Sequence, residues 1–388
     1  MTAPLSSRAA QGPNAALIGR PGSRHQLETP ALVLDLDVLT RNIEVMAEHA
    51  RARDYLLRPC FKVYKSAEIA RQQITAGAVG ICCATLAEAE AAVLAGIGSV
   101  LLFTTVVTPG KLERLAALNA AAEELIVATD EPGNVSDLAA AARTSGRPLK
   151  VMADFDMDGG RTGARGVAAT VALARLIADT PGLHYAGLQA YNGQILCIPD
   201  YAERRRASLE CLAPVRAVIA RLTAEGLAPQ IVSGGGTGTH DIDPDAAVFT
   251  EVQAGTYVLM DVNYGQVQLW PERPGPFGQA VTVCASVVSA PGGGYVITDG
   301  GAKEIDGVFA ALQPVIVTGA PEGSGYSIVG DDLGRIDLPP GGEVPRVGDR
   351  ISLIPPHAWQ TVPMYRVYHC VSGDTLVDIW PVDGLSNW

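Results

Sequence analysis

Arg58-Pro59-Cys60-Phe61-Lys62-Val63-Tyr64-Lys65 closes the first of eight short apolar runs that recur between Ala/Leu/Glu-rich segments. The runs start near Leu56, Val79, Val100, Leu125, Leu149, Tyr185, Gln230 and Val252, after an opening strand over 31–37 and a helix through 42–51. Helical patterns follow most of them, over 66–76, 86–95, 111–121, 135–142, 167–178 and 201–225. Strand–helix alternation predicts parallel strands joined by crossover helices, and eight such units predict a closed (β/α)8 TIM-type barrel over 41–271. From Pro271 onward, Gly/Pro-rich turns separate alternating runs over 280–289, 294–299, 350–354 and 375–379. That pattern predicts a C-terminal β-domain over 272–388, with the boundary near 272 because three prolines interrupt 269–278. Residues 28–40 read as an opening strand joining the β-domain, and 1–27 as a flexible N-terminal arm.

The 388 residues are 48% hydrophobic and 18% charged with 42 Gly, which suits a well-buried globular enzyme of more than one domain. A formal charge of −12 disfavours non-specific nucleic-acid binding. The densest basic run, Arg204-Arg205-Arg206, lies in a helical stretch and reads as a solvated helix face. Seven scattered cysteines without a C-x-x-C pair point to neither a disulfide framework nor a zinc knuckle, and Cys82-Cys83 reads as packing in an apolar strand. No apolar run is long enough to span a bilayer and no continuous apolar leader is present, so a cytoplasmic protein with no membrane partner is expected.

Barrel strands end at the catalytic mouth, which is where Lys62 is expected. A lysine there loses hydration, and its amine becomes available to attack a carbonyl, although a snorkelling strand-end lysine has the same position. Ser233-Gly234-Gly235-Gly236-Thr237-Gly238-Thr239 follows Ile231-Val232, so a strand runs into a glycine-rich turn suited to a phosphate or to plain flexibility. It matches neither nucleotide-binding glycine motif. Gln253-Ala254-Gly255-Thr256-Tyr257 ends the next strand, and strands seven and eight are the usual barrel phosphate site. Arg161 follows the fifth strand, where it serves either a planar anion or Asp154 and Asp156; Tyr191 follows the sixth, as ligand contact or packing.

Together these segments resemble the D-threonine aldolase family and its relatives, the D-serine dehydratases and D-3-hydroxyaspartate aldolases, which share the alanine racemase fold. The likeness runs from about Glu28 and takes in Thr29-Pro30-Ala31, Lys62-Val63-Tyr64-Lys65, Gly80-Ile81-Cys82-Cys83-Ala84, Gly160-Arg161-Thr162-Gly163, Gln189-Ala190-Tyr191, the 233–238 turn and Ile379-Trp380-Pro381-Val382. The resemblance implies pyridoxal 5′-phosphate (PLP) on Lys62. It implies a phosphate site of Ser233, Gly235, Gly236, Thr237, Gly255 and Thr256, with Tyr257 adjoining. Arg161 and Tyr191 would lie around the ring, and Gln253 would face the pyridine nitrogen, where a neutral amide makes a weaker electron sink. It further implies a homodimer acting on a small D-amino acid.

The chain departs from the family on one wall. Cys60 and Tyr64 stand where histidines are usual, Leu333 where another is, and in Pro356-His357-Ala358-Trp359 the indole replaces the second ligand of a divalent metal. Indole has no lone pair suited to a metal, so His357 is the one retained candidate ligand and the metal is expected to be absent or weakly held. The resemblance then implies retro-aldol cleavage of a β-hydroxy-D-amino acid to glycine and an aldehyde, with His357 or Tyr64 taking the hydroxyl proton. Trp359 would favour a bulkier substrate side chain. Dehydration to a 2-oxo acid and racemisation at Cα are the rival chemistries. A PLP-binding regulatory protein is the non-enzyme rival, against which the β-domain argues.

Overall fold

The computed structural model describes residues 12–271, 275–307 and 312–385. The chain forms two compact units. One comprises the N-terminal segment to Ile43, Thr256–Gln266 and Phe277–Val382; the other comprises Glu44–Gly255, Val267–Pro276 and Asp383 onward. The expected boundary at 272 lies outside the described residues.

The second unit is the barrel. Its strands are β2 (Leu56–Leu57), β3 (Ile81–Cys83), β4 (Ser99–Leu102), β5 (Glu124–Thr129), β6 (Leu149–Phe155), β7 (Leu183–Ala190), β8 (Ile231–Gly234) and β9 (Glu251–Val252), numbered after β1 (Ala31–Asp35) of the other unit. Neighbours pair in parallel in the order β2-β9-β8-β7-β6-β5-β4-β3. The two ends of that order meet through a parallel bridge between Cys60 and Cys82 and through Cys82 N–H to the Pro59 carbonyl at 2.9 Å, which closes the ring. Helices α2 (Ala67–Thr75), α3 (Leu86–Leu94), α4 (Pro109–Ala121), α5 (Pro132–Ser145), α6 (Gly166–Asp179) and α7 (Tyr201–Ala224) follow successive strands, after α1 (Leu36–Ala52). Cys60, Cys82, Leu101, Ile126, Met152 and Ala186 form one buried layer inside the ring. Side chains two residues further along a strand share its face, so the next layer up is where polar groups reach the mouth.

The first unit holds a nine-stranded sheet. Its main path runs β13 (Gly325–Ile328), β14 (Gly334–Asp337), β11 (Tyr295–Thr298), β10 (Val281–Gly292), β1, β16 (Val367–Ser372) and β17 (Thr375–Pro381). Off this path, β15 (Arg350–Ile354) pairs with β10, and β12 (Val315–Thr318) with β15. Strand β1 lies antiparallel to β10 and parallel to β16. Strands β12, β13, β14 and β16 are absent from the sequence expectation: β12, β13 and β14 are four residues each, and β12 is largely exposed, so its alternation carries little signal.

The expectation of a loose arm is corrected over its described part. Ala15 and Leu27 are buried in a cluster with Ala31, Val371, Leu376 and Ile379, and the Glu28 amide donates to the Asn14 side chain at 2.7 Å. Residues 1–11 lie outside the described residues. No helix among the described residues is long and apolar enough to cross a membrane.

Candidate active site

The lysine segment departs from its expected place in one respect. Strand β2 stops at Leu57, and Lys62 stands beyond it on a 3-10 turn over Phe61–Val63. Pro59 has no N–H to donate to a ladder, which explains why the regular strand ends early. Of the two lysines in the segment, Lys65 is buried in an ion pair with Glu88, whose other carboxylate oxygen accepts the Ala84 amide at 2.7 Å. A lysine held this way is structural, which turns attention to Lys62. The Lys62 side chain is half-buried beside Cys60. A hydrogen bond with the Cys82 thiol, helped by the Lys62 charge, holds the Cys60 thiol below its ordinary value despite burial. Tyr64 is fully buried, edge-on to Phe61 at 5.4 Å between ring centroids.

The glycine turn after β8 is tightly backed. Gly235 has φ +65°, and a Cβ there would lie 2.3 Å from Asp243 Oδ2; one on Gly236 would lie 2.7 Å from Leu196 Cδ1. Among the described residues, the N–H groups of Gly235 and Gly236 make no turn or loop backbone hydrogen bond, and Ser233 and Thr237 are buried beside them. Asp243 accepts the Ser208 hydroxyl at 2.7 Å and the Thr239 hydroxyl at 2.6 Å, and burial still raises its carboxyl to about 7. His240 Nδ1 meets the Thr237 carbonyl at 2.7 Å, and burial lowers this ring to about 4, so it is neutral and donates there.

Arg204 is a correction. The sequence places it on a solvated face, whereas the structure buries it completely: Nε donates to the Gly238 carbonyl at 2.7 Å, and the other nitrogens donate to Ile198, Pro199 and Gln268 carbonyls. Five fixed N–H donors suit a cluster of backbone carbonyls that no other side chain would satisfy. Arg205 and Arg206 do lie at the surface, paired with Asp245 and Glu210. Sequence reasoning missed Arg204, His240 and Asp243 as supports of the turn; polar residues closely following the glycine run, at 239, 240 and 243, were the available signal.

Gln253 reaches across the top of the ring, its amide donating to Gln189 Oε1 and Ser233 Oγ, each at 2.8 Å. A Cβ on Gly255 would lie 2.8 Å from Val63 Cγ2 and 3.0 Å from Cys60 Cβ, so this turn presses against the lysine segment. Thr256 and Tyr257 fall in the β-domain unit, both buried, with Tyr257 against Phe277 at 5.4 Å between centroids.

Arg161 and Tyr191 come together, the guanidinium carbon 4.9 Å from the ring centroid. The loop bearing Arg161 is held by three aspartates. Asp154 Oδ2 accepts the Thr162 hydroxyl at 2.7 Å, Asp130 Oδ2 the Gly163 amide at 2.9 Å, and Asp156 Oδ1 the Gly159 amide at 3.1 Å. A Cβ on Gly163 would lie 2.2 Å from the Asp156 nitrogen, so only glycine fits that return. Burial raises Asp154 to about 7 and the Tyr191 phenol to about 12.

In the β-domain, His357 stands at the N-cap position of α10 (Ala358–Thr361), after α8 (Asp243–Ala246) and α9 (Val262–Gly265), without its side chain bonding the helix amides. Its Nδ1 lies 2.6 Å from Asp306 Oδ2. The Asp306 amide donates to Thr361 Oγ1 at 3.2 Å, and the Gln360 side-chain nitrogen, turned toward the carboxylate, reaches Oδ2 at 2.5 Å and Oδ1 at 2.8 Å. Asp261 fixes the same segment by accepting the Ala358 amide at 3.0 Å and the Tyr264 amide at 2.9 Å. Trp359 is partly exposed, its ring 6.1 Å from that of His357, and Leu333 is exposed.

A family model described as the alanine racemase N-terminal domain matches residues 34–262, and one described as a putative serine dehydratase domain matches 280–371. The D-threonine aldolase of Arthrobacter sp is 35% identical over 358 residues, 92% of each chain. The chain belongs to the D-threonine aldolase family of the alanine racemase fold. The 3-hydroxy-D-aspartate aldolase of Paracoccus denitrificans (strain Pd 1222) is 32% identical over 361 residues, again 92% of each chain. The crystal structure of D-threonine aldolase from Filomicrobium marinum superposes with a TM-score of 0.86 at 33% identity, covering 92% of this chain and 95% of that one.

Membership of this aldolase family implies PLP, and the barrel residues fit it: a glycine turn packed so closely on Asp243 and Leu196 that only main-chain amides, flanked by the Ser233 and Thr237 hydroxyls, are left to meet an anion, and a second lysine already neutralised elsewhere. The family's divalent metal fits poorly. Nε2 of His357 is one candidate ligand, but Trp359 and Leu333 supply no ligand atom, and among the described residues no group of three or more His, Cys, Asp or Glu is arranged to hold an ion.

Proposed function

We propose that this chain is a PLP-dependent lyase that cleaves a β-hydroxy-D-amino acid to glycine and an aldehyde. The observation that carries the reading is the division of labour between the two lysines of 58–65: Lys65 is sealed in its pair with Glu88, and Lys62 stands half-buried at the head of the ring. Family membership supplies the reaction class. A cytoplasmic homodimer acting on a small D-amino acid belongs to the same reading.

In this reading Lys62 holds the cofactor, and the amides of Gly235 and Gly236 with Ser233 and Thr237 hold its phosphate, backed by Arg204, His240 and Asp243. Gly255 and Thr256 contribute to the same phosphate site, with Tyr257 next in the chain. Arg161 and Tyr191 face the ring, and Gln253 the pyridine nitrogen, without protonating it. When bound, PLP supplies the electron-withdrawing system that accepts the pair left on Cα. His357 or Tyr64 removes the β-hydroxyl proton, the Cα–Cβ bond breaks, the aldehyde leaves, and a proton returned to Cα gives glycine.

The test is the absorbance spectrum of the purified protein and product analysis with D-threonine and β-phenyl-D-serine. Visible absorbance lost in Lys62→Ala, together with glycine and aldehyde as products, supports the reading. Oxo acid and ammonia, or deuterium exchange at Cα with neither product, would replace the aldolase assignment by dehydration or racemisation.

A further inference from the structure

On the wall where Trp359 stands beside His357, the histidine is held in a close pair with Asp306. His357 Nδ1 sits 2.6 Å from Asp306 Oδ2, and Asp306 is fixed on its other side by Gln360 and Thr361. A carboxylate only accepts, and the Gln360 amide donates to the same oxygen, so the histidine must donate as well: its neutral ring carries the proton on Nδ1 and presents Nε2 as a bare acceptor. Trp359 beside the ring and exposed Leu333 offer no ligand atom to a cation there. The intervening residues not described, Val308-Phe309-Ala310-Ala311, have no ligating side chain either.

We infer that this chain performs its cleavage without a divalent metal, with His357 Nε2 as the proton acceptor and Asp306 as the positioning residue that fixes its tautomer. The inference rests on the aldolase reading for the identity of the proton, which leaves the β-hydroxyl oxygen for Nε2 as the Cα–Cβ bond breaks and the carbonyl of the aldehyde forms. Nothing is oxidised or reduced, and the proton taken up by His357 is returned to solvent. Asp306 keeps its charge throughout and stabilises the imidazolium that forms.

The experiment uses the PLP-loaded enzyme, stripped with EDTA and checked for metal content, with D-threonine and β-phenyl-D-serine. The stripped enzyme is expected to release aldehyde at the untreated rate, with no stimulation by Mn²⁺. Asp306→Asn is expected to lower kcat roughly 100-fold with KM little changed, the scale of a lost general base. In 15N spectra it should move the His357 ring away from the Nδ1–H tautomer, and Asp306→Glu should recover both in part. Aldehyde release that disappears with EDTA and returns with Mn²⁺ overturns the inference and leaves the aldolase reading standing. So does an Asp306→Asn enzyme with unchanged kcat and unchanged His357 tautomer. If the wild type releases aldehyde from neither substrate, the aldolase reading fails on its own, and Mn²⁺ calorimetry decides what is left: binding abolished by His357→Ala overturns metal independence, and no binding supports it.

Discussion

The Arg161 guanidinium carbon lies 4.9 Å from the centre of the Tyr191 ring, bringing together residues that follow the fifth and sixth barrel strands. The arginine is exposed, so the contact adds little to folding stability, and its value lies in presenting a planar cation at the mouth. Arg161→Lys keeps the charge and loses the plane. It should weaken PLP retention about tenfold, roughly 1–2 kcal/mol for a lost stacked, charge-assisted contact, with the thermal midpoint nearly unchanged. Equilibrium dialysis of PLP against the variant measures this, and an unaltered dissociation constant would contradict the assignment of Arg161 to the ring.

Thr162→Val tests the anchor beneath that arginine. The Thr162 hydroxyl is the main group stabilising the charged form of Asp154, whose carboxyl burial has raised to about 7, with Arg161 helping and Asp130 and Asp156 opposing. Removing the donor costs about 1–3 kcal/mol, and costs most where Asp154 is ionised. The loss in thermal midpoint relative to wild type should therefore be larger at pH 8 than at pH 5. Equal losses at both pH values would mean that the hydroxyl does not serve the carboxylate.

Much of the barrel is legible in the sequence because each strand carries a compact apolar run and each helix a recognisable period, and the strand starts differ from the observed ones by no more than a few residues. Two things resist such reading. Short strands such as β13 and β14 contribute only four residues each, and their place is set by pairing with one another and with β11. Supports of the site are the other case: Arg204 looks like its neighbours Arg205 and Arg206 until α7 turns it toward the Gly238 carbonyl. The Asp306–His357 pair joins residues on either side of four strands, a proximity that spacing does not encode.

Arg204→Lys separates the buried arginine from its surface neighbours. A lysine has three donors on a point charge, against the carbonyls of Gly238, Ile198, Pro199 and Gln268, and it leaves part of that set unsatisfied inside the fold. The cost should be about 2–4 kcal/mol in urea unfolding, whereas Arg205→Ala and Arg206→Ala should each stay within about 0.5 kcal/mol. Similar costs at all three positions would return Arg204 to the solvated face.

Gly235→Ala and Gly226→Ala make a matched pair. Both glycines have positive φ, +65° and +78°, but only Gly235 has a neighbour in the way, Asp243 Oδ2 at 2.3 Å from the added carbon; Gly226 has open space. Backbone strain alone should cost Gly226→Ala roughly 1 kcal/mol and leave PLP binding intact. Gly235→Ala adds a collision with a carboxylate held by two hydroxyls, and should both unfold at lower urea and lose PLP at least tenfold more readily.

Asp243→Asn gives the pH dependence of that support. The carboxyl titrates near 7 in the native state against an ordinary value of 3.8, so between about pH 4 and 7 the native protein holds a proton that the unfolded chain has released. This group's contribution to stability is therefore complete below pH 4, declines as pH rises toward 7, and is level above. His240, lowered to about 4, works in the opposite sense over pH 4 to 6.5, because the unfolded chain takes up a proton there that the native ring refuses. The two partly cancel in the wild type, which hides both. An asparagine keeps an oxygen for one hydroxyl and removes the titration, so the variant should lose stability relative to wild type at pH 4 and recover that loss by pH 8. Urea unfolding of the two proteins at pH 4, 6 and 8 reads the difference directly, and a difference independent of pH would show that Asp243 is already ionised behind the glycine turn.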